Sequence, residues 1–229
     1  MLTMSFRKKI GDNNVLMSGL AARGYSLCLL DDDENHCTFS DNSAADVSTK
    51  ILISILDRAT FRCSLLIAAR GVGQQLQDKG LIFDDYVKRA DSHEVVAAVA
   101  LLWLRWNDDP KNAENYRNDY SYVNDAGSRR FFEDVDTVGQ RFISSITSAR
   151  LLAIFLENLD AYPVNTKLGG RPESSDRFLY AALLYIDSGD LDAARRVLDH
   201  GALVLGNVCT EVQVRRFDRF MKQRQLLLS

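Results

Sequence analysis

The densest group of side chains able to hold a cation or move a proton is the run Asp31-Asp32-Asp33-Glu34, with His36 and Cys37 just beyond it. Hard divalent cations need several carboxylate oxygens at once, and a flexible loop of this composition could supply them. The EF-hand spacing is absent, with no glycine at the sixth position and no distal bidentate glutamate, so the run reads first as a solvated turn. His36, His93 and His200 are the only histidines, and a three-histidine zinc site would have to use all of them. His200, near the end of an expected helix, is accounted for as a cation opposing the helix dipole. Cys28, Cys37, Cys63 and Cys209 show neither CxxC pairing nor metal-finger spacing, so they read as reduced thiols, Cys63 as a small core residue. There is no GxSxG elbow, Walker loop or dinucleotide fingerprint, and Gly71-Val72-Gly73 is too sparse for a phosphate loop. No cofactor or metal is expected, and no motif gives a specific reason to propose an enzyme.

Two other groups of residues point to contact rather than chemistry. Tyr116, Tyr120 and Tyr122 lie in a polar, Asn- and Asp-rich stretch. Tyrosine offers a large rigid contact area with a polar tip, which suits an interface; equally, these rings could pin the loop onto its own domain. The final expected helix carries Arg215, Arg216, Arg219, Lys222 and Arg224 against Glu211 and Asp218, an excess of three positive charges. Such a helix could take an acidic partner or RNA, or could simply place cations near a helix C-terminus and keep a terminal helix soluble.

The chain as a whole has 229 residues, 46% hydrophobic and 26% charged, with three prolines. That balance suits a folded protein with long helices and excludes disorder of the whole. A net charge of −3 argues against a general nucleic-acid or anionic-membrane binder, which would carry excess Lys and Arg. The basic start, Met1 to Asn14, is not followed by an apolar run, so no secretory signal is read there. The longest strongly apolar stretch, Val95 to Leu104, falls well short of the roughly 18 residues that span a bilayer. A soluble cytoplasmic protein is expected.

These residues need elements to position them. A short helix from Val15 is expected to end at Gly24, followed by a β-hairpin from Tyr25–Leu30 and His36–Ser40 around the acidic turn. Val47, Ile51 and Ile55, with Leu52 and Leu56 beside them, predict a helix capped by Asp41-Asn42-Ser43. Thr60 to Ala69 fits a strand by its β-branched and aromatic content and a short helix by its length; Phe61, Cys63, Leu65 and Ile67 alternate, which favours the strand, pairing with the hairpin. From Ile82 the chain reads as helical: about 83–89, then Ser92 to Trp106, apolar nearly all round and therefore inside. A long helical region follows from Phe131 to Phe155, kinked at Gly139, and 162–176 with its two prolines and glycine pair is the best linker. The last helix, about 210–227, should lay Val214, Phe217 and Met221 on the hairpin before it. The fold class is α+β and predominantly α-helical. It comprises a small part over 1–80, holding a hairpin or three-stranded sheet, and a helical body over 81–229; the two could form one continuous domain.

The stretch Phe178 to Leu205 is the most legible. Phe178, Ala181, Ala182 and Tyr185 form one helical face, Leu191, Ala194, Val197, Leu198 and Ala202 another, with Ser188, Gly189 and Asp190 as stop and cap between them. This resembles a tetratricopeptide-repeat hairpin: Phe178 stands at the usual tryptophan place, Ala182 at the glycine, Tyr185 at the tyrosine, and Gly189-Asp190 at the turn. Ala194 and Leu198 match in the second helix, Gly201 replaces the usual alanine, and no second copy is present. The resemblance implies packing on something non-repetitive, since such arrays need about three units, and it implies binding to peptides or proteins. In the first 58 residues, the helix, acidic-turn hairpin and Asp-rich surface also resemble small chaperones of secretion systems.

The leading expectation is a bacterial-type cytoplasmic interaction, adaptor or chaperone-like module. It would contact a protein partner through Tyr116, Tyr120, Tyr122, Tyr185, Arg215, Arg219 and Lys222, with homodimerisation open. The rival is an enzyme or small-molecule binder whose pocket gathers His36, Cys37, His93 and the acidic loop beside the N-terminal sheet.

Overall fold

The computed structural model describes residues 15–31, 36–41, 46–56, 60–81, 95–111, 120–121, 125–161, 176–207 and 209–228. The expected helix 83–89, the linker 162–175, Asp32 to Asn35, His93, Tyr116 and Tyr122 lie outside the described residues. The fold is α+β and mostly helical, with an antiparallel sheet on the N-terminal side and helices after it.

Helix α1 (Val15–Ala21) buries Leu16 and Leu20 and stops before Gly24, whose φ of 83° only glycine adopts without strain. Strands β1 (Tyr25–Asp31) and β2 (His36–Asp41) form the expected hairpin, with a register shift between Leu27 and Leu29. The next element is a correction: Val47–Ile55 is strand β3, not a helix, and pairs with β2 over Lys50 to Ser54 and with β4 over its full length. A spacing of four satisfies period two as well as the helical period, so Val47, Ile51 and Ile55 fit both readings. Thr49 and Ile53, which the helical reading set aside, decide it, since these two also point into the core. The β-branched residues of VSTKILISI favour the pleated form.

Strand β4 (Thr60–Ala69) forms as expected, but it reaches the hairpin only through β3. Its inward residues Phe61, Cys63, Leu65 and Ile67 are all buried. Gly71 leads into α2 (Val72–Asp78). The second correction lies at Val95–Ala100, read as the start of a helix from Ser92 and found as strand β5, antiparallel to β4. An apolar run buried on both faces fits an inner helix or an inner strand equally in sequence. Here Val96, Ala97, Ala98 and Val99 are buried, and Ala100, still extended at φ −65° and ψ 131°, opens α3 (Leu101–Asp108). A two-residue strand β6 (Tyr120–Ser121) pairs with Thr60 and Phe61 at the other end of β4. The expected hairpin or three-stranded sheet is thus six-stranded, in the order β1-β2-β3-β4-β5 with β6 on β4, and it crosses position 80.

The long helical region is also divided. Helix α4 (Asp125–Asp134) widens into a π turn (Val135–Gly139), and α5 (Gln140–Ser145) follows. The expected kink at Gly139 is the end of that π turn, where a Cβ would stand 3.3 Å from the Asp134 carbonyl oxygen. Helix α6 (Ala149–Glu157) starts afresh, because Ser148 accepts a hydrogen bond from the Leu151 N–H at 3.3 Å and caps it. Then come α7 (Arg177–Asp187), α8 (Leu191–Leu205) and α9 (Glu211–Leu228). Helix α7 packs on α6, α8, α9 and β5. One apolar core runs from Leu16 to Leu227, and Leu66, Ala68 and Ala98 form a small second cluster on the opposite sheet face, with Leu52 against it.

Candidate interaction surface

Tyr120 lies inside the molecule. Strand β6 sets its ring between Phe61, at 5.5 Å between centroids, and Phe131, at 5.3 Å. Its hydroxyl donates to Asp134 Oδ2 at 2.8 Å, and both residues are buried. Arg105 from α3 brings Nε to 3.5 Å of Asp134 Oδ1, and the Arg130 guanidinium stands 5.5 Å from the Tyr120 ring centre. Burial pushes the Asp134 carboxyl above its usual range, while the Tyr120 hydrogen bond and the two arginines pull it back. Burial and the Asp134 charge also push the Tyr120 phenol well up, so it stays a hydrogen-bond donor. The group fastens β6 and α3 to the end of α4, as the loop-pinning alternative requires, and Tyr120 has no surface to offer a partner.

Tyr185 is similarly placed. It is buried on α7 and its hydroxyl donates to Glu157 Oε2 at 2.9 Å, a contact that ties α7 to α6. Burial and that carboxylate push its phenol up to about 12. All eight residues from Phe178 to Tyr185 are buried, so α7 is a central strut and presents no groove. The hairpin turn has the expected chemistry: Gly189 has φ 78°, and Asp190 caps α8 by accepting from the Ala193 N–H at 3.1 Å. Asp190 also meets Arg150 at 3.2 Å. Gly201 packs flush, since a Cβ there would come 2.7 Å from Phe220 and 2.8 Å from Phe178. His200 is exposed, with its ring against Phe178 at 5.4 Å.

The terminal helix α9 is held by its second half. Phe220, Gln223 and Leu227 are buried, Phe217 and Met221 half-buried. Val214, expected on that stripe, is instead exposed. Arg219 binds Asp176 at 3.2 Å and Arg224 binds Asp199. Two of the five cations are therefore engaged with carboxylates of the body. Counting those carboxylates cuts the local excess from three positive charges to one. Arg215 and Lys222 remain exposed.

Sequence reasoning missed the apolar residues at the joined ends of α8 and α9. Leu203 is 75% exposed and Val212 66%, with Val204 and Val214 also exposed. Only residues 206–210 separate the two helices in the sequence. Only part of the signal was in the sequence: Leu203 lies on the side of α8 away from the buried Ala194, Val197, Leu198 and Gly201, whereas Val204 and Val214 share the spacing of buried or half-buried neighbours and are exposed because the packing ends short of them. Large apolar side chains on the outer side of a helix mark contact surfaces when they gather.

The pocket expected beside the sheet does not assemble from His36 and Cys37. Adjacent strand residues point to opposite faces, so Cys37 enters the core opposite Ile53 while His36 lies in the row of Ser54. Burial pushes the Cys37 and Cys63 thiols far up, which leaves both protonated and unreactive. Among the described residues no three His, Cys, Asp or Glu side chains converge to hold a metal. An open cleft of about 670 Å³ is lined by Asp136, Thr137, Gln140, Arg141, Ser144 and Ser145. Four of these are already bonded within the fold: Asp136 to Arg23, Arg141 to Asp108, and the Thr137 and Ser145 hydroxyls to backbone carbonyls. The cleft therefore presents no catalytic constellation. Among the described residues no helix is long and apolar enough to cross a membrane. Compared with protein-family models, curated proteins and solved structures, the chain matches none.

Proposed function

We propose that this chain is a protein-interaction module, adaptor or chaperone-like in character, that receives a protein partner at the joined ends of α8 and α9. The observation that carries the reading is the exposure of Leu203 and Val212 there, the two most exposed large apolar residues of α8 and α9, with Val204 and Val214 exposed beside them in the chain; Leu191, Leu226 and Leu228, at the opposite ends of the same helices, are exposed to a lesser degree. The tetratricopeptide-like character of α7 and α8 supports it by analogy of form, with one change. Since α7 is buried all round, the contact falls to the outer faces of α8 and α9. The chaperone-like version gains from the strand order: β3 is the next described element after the hairpin, in place of the expected helix, which is the order usual in small secretion chaperones.

The test is affinity capture from an extract of the native host, using the immobilised protein and the double variant L203D/V212D. The variant must first show unchanged circular dichroism, which is expected because both side chains face solvent. A specific protein captured by the wild type and lost with the variant supports the reading. Equal capture by both moves the interface elsewhere, and no specific capture overturns the module itself.

A further inference from the structure

We draw no further inference here: the strongest candidate, the exposed apolar tip of Leu203, Val204, Val212 and Val214 where α8 meets α9, belongs to the surface already described, and nothing in the structure shows what covers it.

Discussion

The Tyr120 hydroxyl donates to Asp134 at 2.8 Å between two buried side chains, and this contact joins the shortest strand of the sheet to the helix that precedes the π turn. Removing the hydroxyl alone tests its weight. Tyr120→Phe keeps the ring contacts with Phe61 and Phe131 and leaves the Asp134 carboxylate without that donor. A loss of about 1–2 kcal/mol is expected, read from urea unfolding. A variant as stable as the wild type would show that this bond holds nothing.

Asp134 also sets a pH dependence whose sign follows from burial. A carboxyl whose folded pKa lies above its unfolded value binds its proton more tightly in the fold. Its contribution is full below the unfolded value and is lost as pH rises through the folded one. Asp134→Asn carries no charge and still accepts from Tyr120. The stability of the wild type relative to D134N should fall as pH rises above about 4, the unfolded value for aspartate. A relative gain instead would mean that the Arg105 contact outweighs burial.

Gly201 separates helix propensity from packing. Alanine is the better helix former by about 1 kcal/mol, and it is the usual residue at this place in the repeat the hairpin resembles. A Cβ would nevertheless press on Phe178 and Phe220 at under 3 Å. Gly201→Ala should therefore lower stability by about 1–3 kcal/mol, the usual cost of overpacking, and a raised melting temperature would contradict the placement of α9 on α8.

The four cysteines divide into two classes. Cys28 and Cys209 are exposed, Cys37 and Cys63 buried. Iodoacetamide at pH 8 should add two labels to the folded protein, on Cys28 and Cys209, and four in denaturant, as read by intact mass and peptide mapping. Labelling of Cys63 in the folded protein would contradict the register of β4.

What the sequence made legible was mostly local. The Val15 helix, the first hairpin and the α7–α8 turn each carry a stop, a cap or a clean period, and each formed as read; at 60–69 the preferred strand formed, but on β3 rather than on the hairpin. The two errors share a cause. Val47–Ile55 and Val95–Ala100 carry apolar patterns that a helix and a strand can both satisfy; the β-branched residues and inward Thr49 and Ile53 tip the first towards a strand, and pairing with β2 and β4 fixes both. Pairing is a long-range fact that a local pattern does not contain. The same limit applied to the contact residues. Tyr120 and Tyr185 have the composition of interface residues, yet Asp134 and Glu157, supplied by other helices, draw them inward. The basic helix looked unspent because Asp176 and Asp199 lie on other elements.

The interaction surface is tested most directly by site-specific photo-cross-linking in the native host, with a benzoylphenylalanine at Leu203 or Val212 and a control at Arg62, which is exposed on β4. A single shared protein adduct from 203 and 212, absent from 62, is the result expected of a docking surface at the α8–α9 end. Adducts from position 62 alone, or none from 203 and 212 in a folded protein, would contradict it.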